Sequence, residues 1–187
     1  MAEQLRNLTI EDRKGPLTGR VFGANGCTLK PAAPAIRISL RAGAEGMAAA
    51  KKVLGIALPV KPKSTALKVD LACLWLGPDE WLIIDSADSV LPEKFAKLGN
   101  SLLSAVDVSH RNTAIIVEGA NVEAVLNSGC PQDLSLDVFH VGSCSRTILG
   151  KSEVVLFREA ENRFRVECWR SFSDYVWKYL ADAAKSA

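Results

Sequence analysis

Asp107, Ser109 and His110 bring an acid, a hydroxyl and an imidazole together within four positions of a 187-residue chain, the three groups of a hydrolase triad. They stand within residues 105–119, where the β-branched Val106, Val108, Thr113, Ile115, Ile116 and Val117 predict one long strand over 106–117. Successive side chains of a strand point to opposite faces, so Ser109 and His110 diverge and cannot share a proton. Nothing like Gly-x-Ser-x-Gly surrounds the serine. The stretch reads as the polar start of a strand.

The thiols and imidazoles form no ligand set. Cys27, Cys73, Cys130, Cys144 and Cys168 are odd in number and contain no C-x-x-C pair, and His110 and His140 lie far apart. A zinc or iron–sulfur site needs tighter clustering. Cys73 and Cys168 fall on apolar strand positions, where a free cysteine acts as a small hydrophobe, and His140 reads as a loop residue. Gly19, Gly23 and Gly26 lack the spacing and the preceding strand of a dinucleotide loop. No catalytic, cofactor-binding or metal-binding residue is assigned from the sequence.

Composition narrows the class. With 48% hydrophobic and 24% charged residues the chain is globular, and 23 basic against 21 acidic residues give no nucleic-acid signature. No apolar run reaches the ~18 residues of a membrane span, and residues 1–13 lack a signal-peptide core, which predicts a cytoplasmic protein.

The elements that must position any site follow from periodicity. Residues 1–35 read as an extended N-terminal arm, broken by Gly15, Gly19, Gly23, Gly26, Pro16, Pro31 and Pro34, either loose or laid along a surface. Ile36, Ile38 and Leu40 mark a strand, and 45–54 a helix stopped by Gly55. Residues 67–76 and 81–85 form a hairpin around Gly77-Pro78-Asp79-Glu80, followed by a helix over 91–103. After strand 106–117 come helix 121–128, with Gly129 as a left-handed cap, strand 146–158 interrupted at Gly150, and strand 163–169. The last helix carries an apolar stripe of Phe172, Tyr175, Val176, Tyr179, Leu180 and Ala183, opened by a Ser171–Asp174 capping box. Both halves thus read βαββα, which predicts one α+β domain over 36–187 built of two pseudo-repeats, 36–104 and 105–187.

That scaffold resembles a binding or assembly module more than an enzyme. Arg111, Arg146, Trp169, Arg170 and Trp177 are the interface candidates, since aromatics and arginines are favoured where proteins meet. Trp177 projects from the polar side of the last helix; it either marks an interface or packs under the neighbouring arm.

Two resemblances sharpen this. Asp107-Val108-Ser109-His110 with the strand, Gly119 and helix that follow, and Gly150 to Phe157, resemble the folate-binding aminomethyltransferase of the glycine cleavage system. Ser152 stands where that family has the first of its paired acids, beside Glu153. Five fragments in order are similar to the gamma subunits of heterotetrameric sarcosine oxidase: 76–82, 107–111, 129–134, Cys144-Ser145-Arg146-Thr147 and 170–177. The resemblance implies a complex with alpha, beta and delta subunits that oxidises sarcosine to glycine. Oxygen is reduced to hydrogen peroxide, and the one-carbon unit passes to tetrahydrofolate or leaves as formaldehyde. It also implies that FAD, FMN, NAD, zinc and tetrahydrofolate belong to the other subunits, while gamma serves assembly; an obligate subunit of that kind is expected to be poorly soluble alone. The runner-up is a free-standing folate-binding or aminomethyl-transfer protein, which requires a ligand-sized pocket lined by Arg111, Glu153 and an aromatic such as Trp169. An iron–sulfur assembly factor of the same fold would carry a lysine-glycine-cysteine segment, which the chain lacks.

Overall fold

A computed structural model describes residues 15–98 and 103–187. Its elements run β1 (Phe22–Ala24), β2 (Cys27–Pro31), β3 (Ala35–Ala42), α1 (Ala44–Leu54), β4 (Thr65–Lys68), β5 (Leu71–Gly77), β6 (Glu80–Ser86), α2 (Leu91–Ala96) and β7 (Leu103–Asp107). They continue as β8 (Asn112–Gly119), α3 (Val122–Asn127), β9 (Cys144–Leu149), β10 (Ser152–Ala160), β11 (Arg163–Trp169), a 3-10 turn (Arg170–Phe172) and α4 (Ser173–Ser186). The strands form two antiparallel sheets, ordered β1-β2-β8-β11-β10-β9 and β4-β5-β6-β3-β7.

The sheets pack face to face, and each carries helices on its outer face. Leu29, Ile115, Val166, Val125 and Leu180 share the core of the six-stranded sheet with α3 and α4. Ile38, Leu40, Trp81, Leu54 and Phe95 do the same for the five-stranded sheet with α1 and α2. Leu74, Leu82, Ile84, Val155 and Phe157 fill the space between the sheets. Both faces of a central strand are therefore covered. In β3, Ile36 and Ile38 face helices while Arg37, equally buried, faces the other sheet. Alternation here separates two interiors rather than core from water.

Several expectations change. The strand predicted over 106–117 is two strands in different sheets. Asp107 Oδ1 accepts from the Ser109 N–H at 2.8 Å and its hydroxyl at 2.5 Å, and the Arg111 and Asn112 N–H groups both donate to the Val108 carbonyl at 3.0 Å. This Asx-type turn carries the chain from one sheet to the other, which β propensity alone cannot register. The helix predicted over 91–103 ends at Ala96. Leu103 already pairs with Ala42 in β7, and residues 99–102 lie outside the described ones.

The predicted arm does not stay outside the domain. From Phe22 to Pro31 it forms a hairpin whose β2 pairs with β8, burying Leu29 completely. Gly119 permits that seam: it sits at φ +134°, and a Cβ there would lie 1.9 Å from the Gly26 carbonyl oxygen. Gly129 is not left-handed as expected; a Cβ on it would fall 2.4 Å from the Tyr179 hydroxyl, so the position is needed for close approach. The capping box is absent at α4. Phe172 is the N-cap, and the Ser173 hydroxyl donates to the Arg170 carbonyl at 2.7 Å, closing the 3-10 turn instead.

Each half reads βαβββα rather than βαββα, because turns at Val69-Asp70 and Gly150-Lys151 divide runs that looked continuous or merely interrupted. The correspondence of the halves extends to the sheets: β3-α1-β4-β5-β6-α2 matches β8-α3-β9-β10-β11-α4, and the strand preceding each crosses to the other sheet. Thus β2 pairs with β8, and β7 pairs with β3.

Candidate functional site

At one end of the six-stranded sheet a row of side chains extends past the cover of its partner. Register places Ile148 opposite Glu153 and Trp169 opposite Asn112, two residues beyond the Val155–Glu167 pair. Ile148 is 51% exposed, Trp169 40% and Phe172 45%. The Arg111 guanidinium lies 5.0 Å from the Trp169 ring, a cation–π contact, and the Phe172 ring lies 6.0 Å from the same indole. Beneath the row, Arg146 grips Glu80 of the other sheet with two bonds of 2.9 and 2.7 Å. The hydrogen bond from Arg146, against some desolvation and helped by the charges of Arg146 and Arg41, holds the Glu80 carboxyl below its ordinary value.

Of the five sequence candidates, the fold brings Arg111, Arg146 and Trp169 to this ledge together with Glu153. Arg170 is adjacent, its N–H donating to the Arg111 carbonyl at 2.8 Å, but its side chain lines a different cavity. Trp177 is the exception: at 7% exposure it belongs to the core. The helical stripe was drawn for one covered face, whereas α4 also packs on β1 and β2. Arg20 to Asp174 (2.7 Å) and Asn25 to the Lys185 carbonyl (3.0 Å) hold that covering segment down. Trp177 is thus packed under the neighbouring arm.

The residues that the folate-binding alternative needs do meet, but the cavity they line has a volume of about 50 Å³. Ligand sites typically enclose about 300–1,000 Å³. The apparent triad is also resolved: Ser109 donates to Asp107 and accepts from the Arg37 N–H at 2.8 Å, while His110 points from an exposed turn position. All five cysteines are buried and free, and burial pushes the Cys73, Cys144 and Cys168 thiols up to about 12. His140 is held in its loop by the Leu136 carbonyl at 2.8 Å. Among the described residues no three His, Cys, Asp or Glu side chains are grouped to hold a metal ion.

Sequence reasoning missed the charged network between the sheets. Arg37 Nε donates to Glu167 Oε2 at 2.6 Å across the gap, and Arg165 Nε donates to Glu167 Oε1 at 2.7 Å. Burial alone would raise the Glu167 carboxyl, but the two guanidiniums outweigh it and hold the group below its usual range. Arg158, 1% exposed, is a second such anchor. It donates to the Leu134 and Phe139 carbonyls at 2.9 Å each, fixing the connection between α3 and β9. The available signal was an arginine set among apolar residues on a strand, as Arg37 is between Ile36 and Ile38.

A family model described as the sarcosine oxidase gamma subunit family matches residues 41–186. The chain belongs to that family. It is 32% identical over 167 residues to the sarcosine oxidase subunit gamma of Corynebacterium sp. (strain U-96), covering 87% of this chain and 82% of that one. It is also 32% identical over 164 residues to the Arthrobacter sp. subunit gamma, covering 86% and 81%. Its structure resembles a chain of the heterotetrameric sarcosine oxidase from Corynebacterium sp. U-96 with TM-score 0.84 and 30% identity, over 94% of this chain and 97% of that one. Aminomethyltransferase T of the glycine cleavage system from Bartonella henselae matches at TM-score 0.60 and 14% identity, over 84% of this chain and 46% of that one. This last likeness shows a shared fold. None of the helices is long and apolar enough to cross a membrane, among the described residues.

Proposed function

We propose that this chain is the gamma subunit of a heterotetrameric sarcosine oxidase, acting in the assembly and stability of the complex with alpha, beta and delta subunits in the cytoplasm. The complex oxidises sarcosine to glycine with formation of hydrogen peroxide and passes the one-carbon unit to tetrahydrofolate or releases it as formaldehyde. FAD, FMN, NAD, zinc and tetrahydrofolate are assigned to the other subunits, and no catalytic residue to this one. The observation that carries the reading is the near end-to-end match, at TM-score 0.84, to a chain of the heterotetrameric enzyme. Residues 36–187 are read as two pseudo-repeats, supported by the matching element order of β3–α2 and β8–α4, and the domain extends back to include β1 and β2. Arg111, Arg146 and Trp169 are the partner-facing candidates, supported by the exposed ledge that they form, whereas Arg170 lines the other cavity.

The test is a pull-down of the tagged full-length chain from its own cells, with native mass spectrometry and an absorbance spectrum of the eluate. Three further polypeptides with a flavin spectrum are expected. A lone, colourless chain that binds tetrahydrofolate would overturn the proposal.

A further inference from the structure

A cavity of about 560 Å³ lies between the segment that leads into β1 and the crossing from β2 to β3, well apart in size from the 50 Å³ cleft under the ledge. Its volume is that of a small-molecule site. Its walls are largely apolar, supplied by Leu17, Val21 and the Pro31–Ala35 crossing. Its charged lining has one sign: Arg20, Lys30, Arg37 and Arg170, with no acid among the described residues that line it.

The carboxylates behind this lining are shared. Asp174 holds Arg20 at 2.7 Å but also Lys178 at 2.8 Å. Glu118 holds Lys30 at 2.7 Å and Arg163 at 2.5 Å, and Glu167 holds Arg37 and Arg165. Glu159 serves Arg163 and Arg165. The side chain of Arg170 has no hydrogen-bond or ion-pair partner among the described residues. Six bases thus share four carboxylates and Arg170 has none, so the cations that line the cavity outnumber the acids committed to them alone. In a partly enclosed, largely apolar space such an excess is screened less than on an open surface, and it favours a multivalent anion. Asn112 and Thr113 add uncharged polar groups to the same wall.

We propose that this cavity is a binding site for a small organic anion carrying two or more carboxylate or phosphate groups, with Arg170 and Lys30 as its principal cationic contacts. The proposal rests on the subunit reading only in that the complex is the form tested: a chain that elutes alone would overturn that reading, and the same titration on the lone chain would still decide the site. Its test is isothermal titration of citrate, and separately of pyrophosphate, into the purified complex that contains this chain, at ionic strength held constant with sodium chloride. Saturable binding at one site per chain is expected. Preference for citrate would identify a carboxylate ligand and preference for pyrophosphate a phosphate ligand. Arg170→Gln should weaken binding about tenfold or more, the loss of one charge-assisted contact. Ala33→Glu places a carboxylate on an exposed wall position and should abolish binding while the complex still elutes intact. No saturation above the salt control would overturn the proposal. So would binding that Ala33→Glu leaves unchanged, since that signal would come from another subunit.

Discussion

Glu167 is the residue on which the contact between the sheets turns, and its environment makes a pH prediction. The carboxylate is 1% exposed, carries bonds from Arg37 and Arg165, and titrates below its ordinary range because those cations outweigh its burial. A depressed folded-state pKa contributes stability that is present above the unfolded value of roughly 4.3 and is lost as pH falls through the lower folded value. Glu167→Gln keeps the shape but strands Arg37 without a counter-charge, which should cost about 3–5 kcal/mol at neutral pH. Urea denaturation from pH 7 down to pH 3 should show wild-type stability falling steeply below about pH 4, with a flatter curve for the variant. Parallel curves would show that the pair makes no net contribution. The sequence carried only an ambiguous trace of this. Arg37 alternates with Ile36 and Ile38 as a solvent-facing residue does, and only the second sheet turns that face into an interior.

At the scale of elements, the seam between β2 and β8 separates what could be read from what could not. Strands β3, β6 and β11 and helices α1 and α3 were legible because each is specified locally, by alternation, by a 3.6-residue stripe or by a turn such as Gly77–Glu80. β2 was not. Cys27 and Leu29 do alternate with Thr28 and Lys30, but flanking glycines and prolines dominate a local reading, and the strand exists because β8 offers an edge to pair with. If it is part of the core, Leu29→Ala should cost about 2–5 kcal/mol by cavity formation. Val21→Ala, only a few residues earlier but 75% exposed, should change stability by no more than about 0.5 kcal/mol. Chemical denaturation of the two variants decides it, and equal, small effects would mean that the segment is laid on the surface. The same dependence on a distant partner hid the fate of Trp177, since the covering that buries it begins more than 150 positions earlier, at Leu17 and Arg20.

At the scale of the whole molecule each sheet is completed from the segment that leads into the other: β1 and β2, which precede β3, join β8, and β7, which precedes β8, joins β3. This explains why the candidate ledge was only partly legible. Arg111, Arg146 and Trp169 could be proposed one by one as interface types, but their meeting depends on the register of β8 through β11 and on Glu80 arriving from the other sheet. The geometry that brings them together also separates two roles. Arg146 ties the sheets to each other, whereas Ile148, Trp169 and Phe172 present apolar surface outward. Ile148→Ser and Trp169→Ser should therefore leave the chain's own unfolding free energy within about 1 kcal/mol of wild type. In the assembled complex the same changes remove anchors of the kind that dominate interfaces, worth about 2 kcal/mol or more where an aromatic is fully desolvated by its partner. The measurement is subunit exchange followed by native mass spectrometry over a dilution series, with thermal denaturation of the isolated variant chain alongside. A complex that dissociates at roughly 30-fold higher concentration, with an unchanged melting curve for the free chain, places the ledge against a neighbouring subunit. An unchanged complex would leave the ledge facing solvent and move the interface to another surface of this chain.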